Sequence, residues 1–118
     1  VNMPTIVREL EAIERLHNDF AFRYIDLAHA LNTSEPTLHR WRRGSGGEPT
    51  PVYLKRLEAF QAFLEELDDL FASRDSALAW MDNALSVFKG KTPREMIRAG
   101  HVDRVTGVLY ALNAGAAL

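Results

Sequence analysis

The chain has 118 residues, enough for one compact domain or two very small ones. Its hydrophobic fraction of 47% and charged fraction of 25% are ordinary for a soluble globular protein. The formal net charge is −2, so the chain has no basic bulk charge for nucleic acid, and DNA contact requires a local basic patch. The lack of cysteine excludes disulfides and thiol chemistry and agrees with a cytoplasmic location. Because no apolar run approaches the ~18 residues of a membrane-spanning helix, we expect no membrane association.

Apolar residues recur at helical spacing along almost the whole sequence, which predicts an all-α protein. Thr5 is a plausible N-cap for the first helix, whose apolar stripe consists of Ile6, Leu10, Ile13 and Leu16. A second, shorter helix is predicted from the apolar residues Ile25, Leu27, Ala28 and Leu31. Ser34 can cap a third helix, which runs to Arg43 and stops at Gly44.

The segment from Gly44 to Pro51 is rich in glycine and proline and predicts the main boundary of the chain. A long helix follows, from about Val52 to Ala72. Its apolar seam alternates in steps of four and three and consists of Tyr53, Leu57, Phe60, Leu64, Leu67 and Phe71. Other apolar residues widen this stripe, so we expect one side to pack inside the subunit and the other to form a homodimer. The alternative is a single wide face that packs into one core.

The sequence thus predicts three segments: an N-terminal domain over residues 1–48, a central dimerisation helix over 49–73, and a small C-terminal helical domain over 74–118. Ser73 can cap the first helix of the last segment, which is expected to bury Leu78 and Trp80. The final helix is predicted over about residues 102–114, and Gly115 ends it.

The stretch from Asp26 to Gly44 has the layout of a helix-turn-helix motif. Small Ala28 lies where two helices must approach closely, a polar turn follows, and Leu38 and Trp41 face inward from the second helix. The second helix of such a motif enters the major groove, so we predict DNA contacts by Thr37, His39, Arg40, Arg42 and Arg43, the first three to bases and the last two to phosphates. The alternative is a scaffold that has lost DNA binding, with which Glu35 at the base-reading end is consistent.

The letters Gly90-Lys91-Thr92 are those that end a phosphate-binding loop. That loop also requires a glycine five residues earlier, where Leu85 stands, and a preceding strand that the pattern does not predict. The residues fit a helix start better, because Thr92 can cap, Pro93 suits the first position and Glu95 completes a capping box. We therefore predict a tight turn and a short capped helix, and no cofactor bound by the chain itself.

Two stretches resemble known families. The run Arg-Trp-Arg-Arg-Gly at residues 40–44 resembles the end of the recognition helix in Xre/Cro-like repressors. The stretch from Trp80 to Gly115 resembles the C-terminal toxin-binding domain of the Xre/MbcA/ParS antitoxins. The residues that carry this second resemblance are Trp80, Asn83, Leu85 or Phe88, Gly90-Lys91-Thr92-Pro93, Met96-Ile97, Gly100, Arg104-Val105 and Gly115. Since both stretches stand in the expected order, the resemblance extends over nearly the full chain.

The resemblance implies an antitoxin of a type II toxin–antitoxin system that also represses its own operon. The implied partner is a RES-domain toxin that consumes NAD or uses it for ADP-ribosylation, and the antitoxin blocks its NAD pocket with its C-terminal region. We expect two groups of residues to make that contact. The first is a basic cluster of Lys89, Lys91 and Arg94, and the second is the end of the chain, with Tyr110, Asn113, Gly115, Ala116, Ala117 and Leu118. The alternatives are a solvated turn for the lysines and ordinary fraying for the tail.

Two other classes of function compete with this interpretation. An enzyme is disfavoured because the histidines lie on separate predicted elements and show no metal-ligand spacing, at His17, His29, His39 and His101. A stand-alone dimeric repressor is the stronger competitor, because it would use the same helix-turn-helix and the same central helix. The neighbouring reading frame distinguishes the two, since a RES-domain gene beside this one favours the antitoxin.

Overall fold

The computed structural model describes residues 7–45 and 47–117, and this part of the chain is all-helical, as predicted, with no named strand. The α-helices are α1 (Val7–Phe20), α2 (Tyr24–Ala30), α3 (Glu35–Arg43), α4 (Pro51–Leu70), α5 (Arg74–Met81), α6 (Pro93–Arg98) and α7 (Val102–Asn113). A 3-10 turn over Ser86–Phe88 lies between α5 and α6. None of the described helices is both long and apolar enough to cross a membrane.

Contacts within the chain define two compact units, an N-terminal unit that ends at Gln61 and a C-terminal unit that begins at Ala62. The division falls inside α4, so this helix contributes its first half to one unit and its second half to the other. The sequence instead suggested a boundary at the glycine-rich loop and a separate central segment. The difference arises because a long helix with a wide apolar face can supply side chains to a different core at each end.

The N-terminal unit is built from α1, α2, α3 and the first half of α4. Its core contains Leu10, Ile13, Leu16, Phe20, Phe22, Leu27, Leu31, Leu38, Trp41, Leu57 and Phe60, all of them buried. Of the apolar residues from which α2 was predicted, Leu27 and Ala28 are buried in the core, whereas Ile25 is 52% exposed. The predicted N-cap Thr5 and the stripe residue Ile6 lie outside the described residues.

The seam of α4 corrects the predicted dimer surface. Four of its members, Leu57, Phe60, Leu64 and Leu67, are each at most 5% exposed within the single chain. Phe63, one of the apolar residues of α4 beside this seam, is also buried. Tyr53 is half-buried, and its ring contacts that of Trp41. The apolar width of the helix is therefore covered by the chain's own core, and a second copy is not needed to cover it. A homodimer stays a prediction, but it cannot rest on this seam.

The C-terminal unit packs α6 against both α5 and α7. Its buried side chains include Ala77, Met81, Phe88, Met96, Ile97, Val105 and Leu109. Ser73 caps α5 as predicted, since its side chain accepts a hydrogen bond from the Ser76 amide at 3.1 Å. The inner face of α5, however, is formed by Ala77 and Met81, and both Leu78 and Trp80 are only half-buried. This rotation of α5 leaves the Trp80 ring partly at the surface.

Candidate functional site

The turn between α2 and α3 has the geometry that a helix-turn-helix requires. Asn32 adopts a left-handed conformation with φ 58°, and the amide of Thr33 donates to the carbonyl of Ala28 at 2.9 Å, closing the end of α2. Ser34 then caps α3, because its Oγ accepts from the Thr37 amide at 3.2 Å. Gly44, with φ 70°, ends α3 where the sequence predicted. The sequence therefore predicted both limits of α3 correctly.

Arg40 and Arg43 are exposed on α3, as expected of side chains that contact DNA. Arg40 donates to the Oγ1 of Thr37 at 2.9 Å, which places these two predicted DNA contacts side by side. His39 is half-buried rather than outward-facing, with its Nε2 3.4 Å from the Oε1 of Glu35. The structure thus leaves Arg40 and Arg43 accessible, places the half-buried Thr37 beside Arg40, and turns His39 toward its neighbours.

Arg42 is the clearest correction to the predicted DNA contacts. Its guanidinium pairs with the carboxylate of Glu14 on α1, donates to the hydroxyl of Tyr24 at 2.8 Å, and donates to the Nδ1 of His39 at 2.7 Å. These bonds engage the N–H donors of the guanidinium within the N-terminal unit. Arg42 therefore holds α3 against α1 and α2 and is not available to bind a phosphate. No local sequence pattern indicates this role, because Glu14 is 28 positions away along the chain.

The same cluster shifts the protonation equilibria of its members. The hydrogen bond from Arg42 holds the pKa of the Glu14 carboxyl below its ordinary value, although partial burial opposes this. Burial, and the hydrogen bond to Glu14, raise the pKa of the Tyr24 hydroxyl. The ring of His17 stacks on the ring of Tyr24, with 3.8 Å between the two centroids. Glu14 is therefore ionised and paired with Arg42 at neutral pH.

In the C-terminal unit, the segment with the letters Gly-Lys-Thr forms a closed turn and a capped helix. Lys89 and Gly90 are both left-handed, with φ 55° and 86°, and Leu85 pairs with Lys91 through a backbone hydrogen bond of 3.1 Å. The predicted capping box is confirmed, since Thr92 Oγ1 accepts from the Glu95 amide and Glu95 Oε1 accepts from the Thr92 amide. The amides of this segment are thus engaged in the turn and the cap rather than arranged as a phosphate loop.

The predicted basic cluster divides into two parts. Lys89 and Lys91 are exposed and form no ion pair with residues 7–45 or 47–117. Arg94 is only 8% exposed, and its Nε and Nη2 donate to the two carboxylate oxygens of Asp82 at 2.7 and 3.3 Å. That bond holds the pKa of Asp82 below its ordinary value. Arg94 therefore ties α6 to the end of α5, which corrects its assignment as a partner contact.

The end of α7 presents one of the predicted contact residues and engages another. Tyr110 is 65% exposed. The side-chain amide of Asn113 donates to the backbone carbonyl and to Oε2 of Glu66, at 3.0 and 2.8 Å, so it fixes α7 to α4 within the C-terminal unit. Gly115, with φ 92°, and the bond from the Ala116 amide to the Ala111 carbonyl close the helix, so the backbone of the tail is ordered through Ala116. Leu118 lies outside the described residues.

The sequence missed an apolar surface pocket in this unit. It has a volume of about 150 Å³ and is lined by Trp80, Leu85, Ser86, Val87, Val108 and Leu112. Its lining is apolar except for Ser86, and Val87 on the rim is 43% exposed. The ring of Trp80 packs against the ring of Phe71, with 5.8 Å between the two centroids. Helical spacing assigned Trp80 to the core, and only the packing of α5 shows that it lines a surface instead.

These features define an all-α protein in which a helix-turn-helix unit precedes a small helical unit with an apolar pocket beside a basic turn. Residues 66–115 match the family of the antitoxin Xre/MbcA/ParS C-terminal toxin-binding domain. The matched range occupies most of the C-terminal unit, so this part of the chain is similar to that toxin-binding domain.

The full chain is also similar in fold to a chain in the crystal structure of the M. tuberculosis MbcT–MbcA toxin–antitoxin complex. The TM-score is 0.68 at 24% sequence identity, and the similarity covers 100% of each chain. No curated protein sequence matches this chain significantly.

Proposed function

We propose that this chain neutralises a toxin by binding it through the C-terminal unit. The proposal rests on one observation. Residues 66–115, which match the toxin-binding domain, lie entirely within the compact unit that begins at Ala62. This unit exposes large apolar side chains at Val87 and Tyr110 and cations at Lys89 and Lys91. Apolar patches rimmed by polar residues are typical of protein–protein contact surfaces. The M. tuberculosis structure with the same fold is that of a toxin–antitoxin complex, which supports the same role.

The toxin that we propose is a RES-domain protein that consumes NAD or transfers ADP-ribose from it. The proposal rests on the family resemblance of Trp80 to Gly115, and the mode of inhibition that it implies is a blocked NAD pocket. Tyr110 and residues 115–117 are exposed at the end of α7, so they are accessible to a cleft in a partner. The chain would act in the cytoplasm by binding alone, with no cofactor and no catalysis of its own.

The experiment that tests this function uses the full chain and the RES-domain protein encoded in the adjoining reading frame. We expect the two to co-purify, and we expect NAD loss caused by the toxin to stop when the chain is added. Deletion of Ala116 to Leu118 tests the tail, and Tyr110→Ala tests the exposed ring. Two proteins that elute separately, with NAD loss unchanged, would show that the antitoxin proposal is wrong.

A repressor is the second candidate, and it is favoured by the exposed Arg40 and Arg43 on α3. Side chains of this kind bind phosphates with a strong dependence on salt concentration. Electrophoretic mobility of the promoter fragment of the chain's own operon tests this role, with Arg40→Ala and Arg43→Ala expected to weaken the shift. Arg23→Ala is the control, because Arg23 is exposed directly before α2 but pairs with Asp26. An unshifted fragment would leave only the antitoxin function.

A homodimer is part of this proposal, since operator sites are commonly bound by two-fold symmetric pairs. Sedimentation equilibrium of the full chain measures it directly. Because Leu57, Phe60 and Leu64 are buried in the single chain, the contact must use other surfaces, and the exposed Val52 at the start of α4 is available. A Val52→Asp variant that stays dimeric excludes that position.

A further inference from the structure

Resting on the proposed antitoxin function, we propose that the pocket at Trp80 receives one large apolar side chain of the toxin. A carboxylate close to that side chain then pairs with Lys89 or Lys91. The pocket is thus the anchor of the interface on the antitoxin, and the lysines fix the orientation of the incoming segment. The tail and Tyr110 make separate contacts.

The size and lining of the pocket determine its occupant. Its volume of about 150 Å³ is that of a cavity able to hold a benzene-sized group. Trp80, Val108 and Leu112 line it, and Ser86 is its one polar side chain among the lining residues. An aliphatic or aromatic side chain fits this lining best, because the polar atoms of another occupant would lose hydration and find few hydrogen-bond partners there. Side chains that fill pockets in this way contribute a large share of interface energy.

The 3-10 turn divides its side chains between the core and this pocket. Phe88 is 3% exposed and anchors the turn in the core, whereas its neighbour Val87 is 43% exposed on the pocket rim. The backbone pair between Leu85 and Lys91 and the left-handed conformation of Lys89 hold the turn closed. The rim is therefore ordered before a partner arrives, which lowers the entropic cost of binding.

The charges beside the pocket select an acidic neighbour for the occupant. Lys89 and Lys91 leave the same closed turn as Val87, and both are exposed and without an ion pair in the described chain. Arg94, in contrast, is neutralised by Asp82. The basic charge left at this rim is complementary to a carboxylate on the partner, which favours one orientation of the toxin and rejects others.

These charges also argue against a second copy of the chain as the occupant. A two-fold symmetric contact centred on this turn would place Lys89 and Lys91 of both copies in the same interface. Like charges in such a contact are destabilising. The pocket also lies within residues 66–115, the range matched to a toxin-binding domain. The toxin is therefore the partner that this surface fits.

Fluorine NMR of the full chain labelled with 5-fluorotryptophan tests the inference. The sequence has two tryptophans, so Trp80 in the pocket and Trp41 in the N-terminal core give separate signals. On addition of the unlabelled RES-domain toxin, we expect the Trp80 signal to shift and the Trp41 signal to stay. Complex formation is measured in the same sample by size-exclusion chromatography.

A rim variant provides an independent readout. Val87→Asp places a carboxylate beside the apolar occupant, and we expect toxin binding to weaken by about tenfold or more. Ile25→Asp is the matched control, because Ile25 is 52% exposed in the N-terminal unit, and we expect a change below about twofold. Lys91→Glu is expected to weaken binding less at high salt than at low salt, because screening removes the ion pair.

The outcomes separate this inference from the proposed function. If no complex forms with the unmodified chain, the antitoxin proposal fails and this inference with it. If the complex forms while the Trp80 signal stays fixed, or while Val87→Asp binds as tightly as the unmodified chain, the pocket is not the anchor and the antitoxin proposal stands. A Trp80 signal that moves with the concentration of the chain alone identifies a second copy as the occupant and overturns the inference.

Discussion

The guanidinium of Arg42 lies over the ring of Tyr24, 4.0 Å from its centroid, and donates to the hydroxyl of the same residue at 2.8 Å. With the ion pair to Glu14, this contact joins α3 to α1 and α2 in one cluster. The exposed Arg40 and Arg43 therefore project from a helix whose orientation is set by the half-buried Arg42.

Replacement of Arg42 by alanine should destabilise the N-terminal unit by about 2 kcal/mol, because it leaves Glu14 without its charged donor and removes the contact with Tyr24. Urea unfolding followed by Trp41 fluorescence measures the change. Arg40→Ala is the matched control on the same helix, and we expect it to lie within about 0.5 kcal/mol of the unmodified chain. Equal losses in the two variants would contradict the structural role of Arg42.

The pH dependence of stability should reflect Glu14 and Asp82. The pKa of each carboxyl is lowered in the folded chain, mainly by its hydrogen bond to an arginine, so the unfolded chain binds protons more readily. The stabilisation is present above the ordinary carboxyl pKa of about 4 and is lost as pH falls through the lowered folded value. We expect the free energy of unfolding to fall between about pH 5 and pH 3, and Glu14→Gln with Asp82→Asn to flatten that fall. A double variant with the unmodified slope would show that other groups cause it.

Gly107 within α7 and Gly115 just after it should respond in opposite directions to replacement by alanine. Gly115 has φ 92°, a conformation that costs an L-residue about 1 kcal/mol or more, so Gly115→Ala should destabilise the helix end. Gly107 lies within α7 with open space around it, so Gly107→Ala should stabilise by about 0.5–1 kcal/mol. Thermal unfolding of the C-terminal unit measures both. Two changes of the same sign would contradict the closed end that the structure gives to α7.

The Arg94–Asp82 pair should contribute to stability rather than to toxin binding. Arg94→Lys loses the two-pronged contact with the carboxylate, and we expect a loss of about 1–2 kcal/mol in unfolding free energy. Toxin affinity, measured below the unfolding transition, should change by less than about twofold. Lys91→Ala is the control, and we expect it to show the reverse pattern. Its unfolding free energy should be unchanged, and its affinity for the toxin should be lower. An Arg94→Lys variant that is stable but binds poorly would restore the sequence-based assignment.

Local patterns in the sequence determined the helices and most of their limits. Ser34, Ser73 and Thr92 each place a side-chain oxygen where the first amides of a helix need an acceptor, and all three caps are confirmed. Gly44 and Gly115 mark helix ends because glycine adopts a left-handed conformation at little cost. These interactions span a few residues, so their spacing along the chain is sufficient to predict them.

Contacts between distant residues were decided only by the tertiary structure. Helical periodicity shows that one face is apolar, but it cannot tell whether that face meets the chain's own core, as Leu57 and Leu64 do, or lines a surface, as Trp80 and Leu112 do. Charge patterns in the sequence identify Arg42 and Arg94 as basic residues, but they do not identify the carboxylates with which these residues pair. Those partners are 28 and 12 positions away along the chain. Both features depend on how one helix rotates against another, and that rotation is fixed by packing of the whole unit.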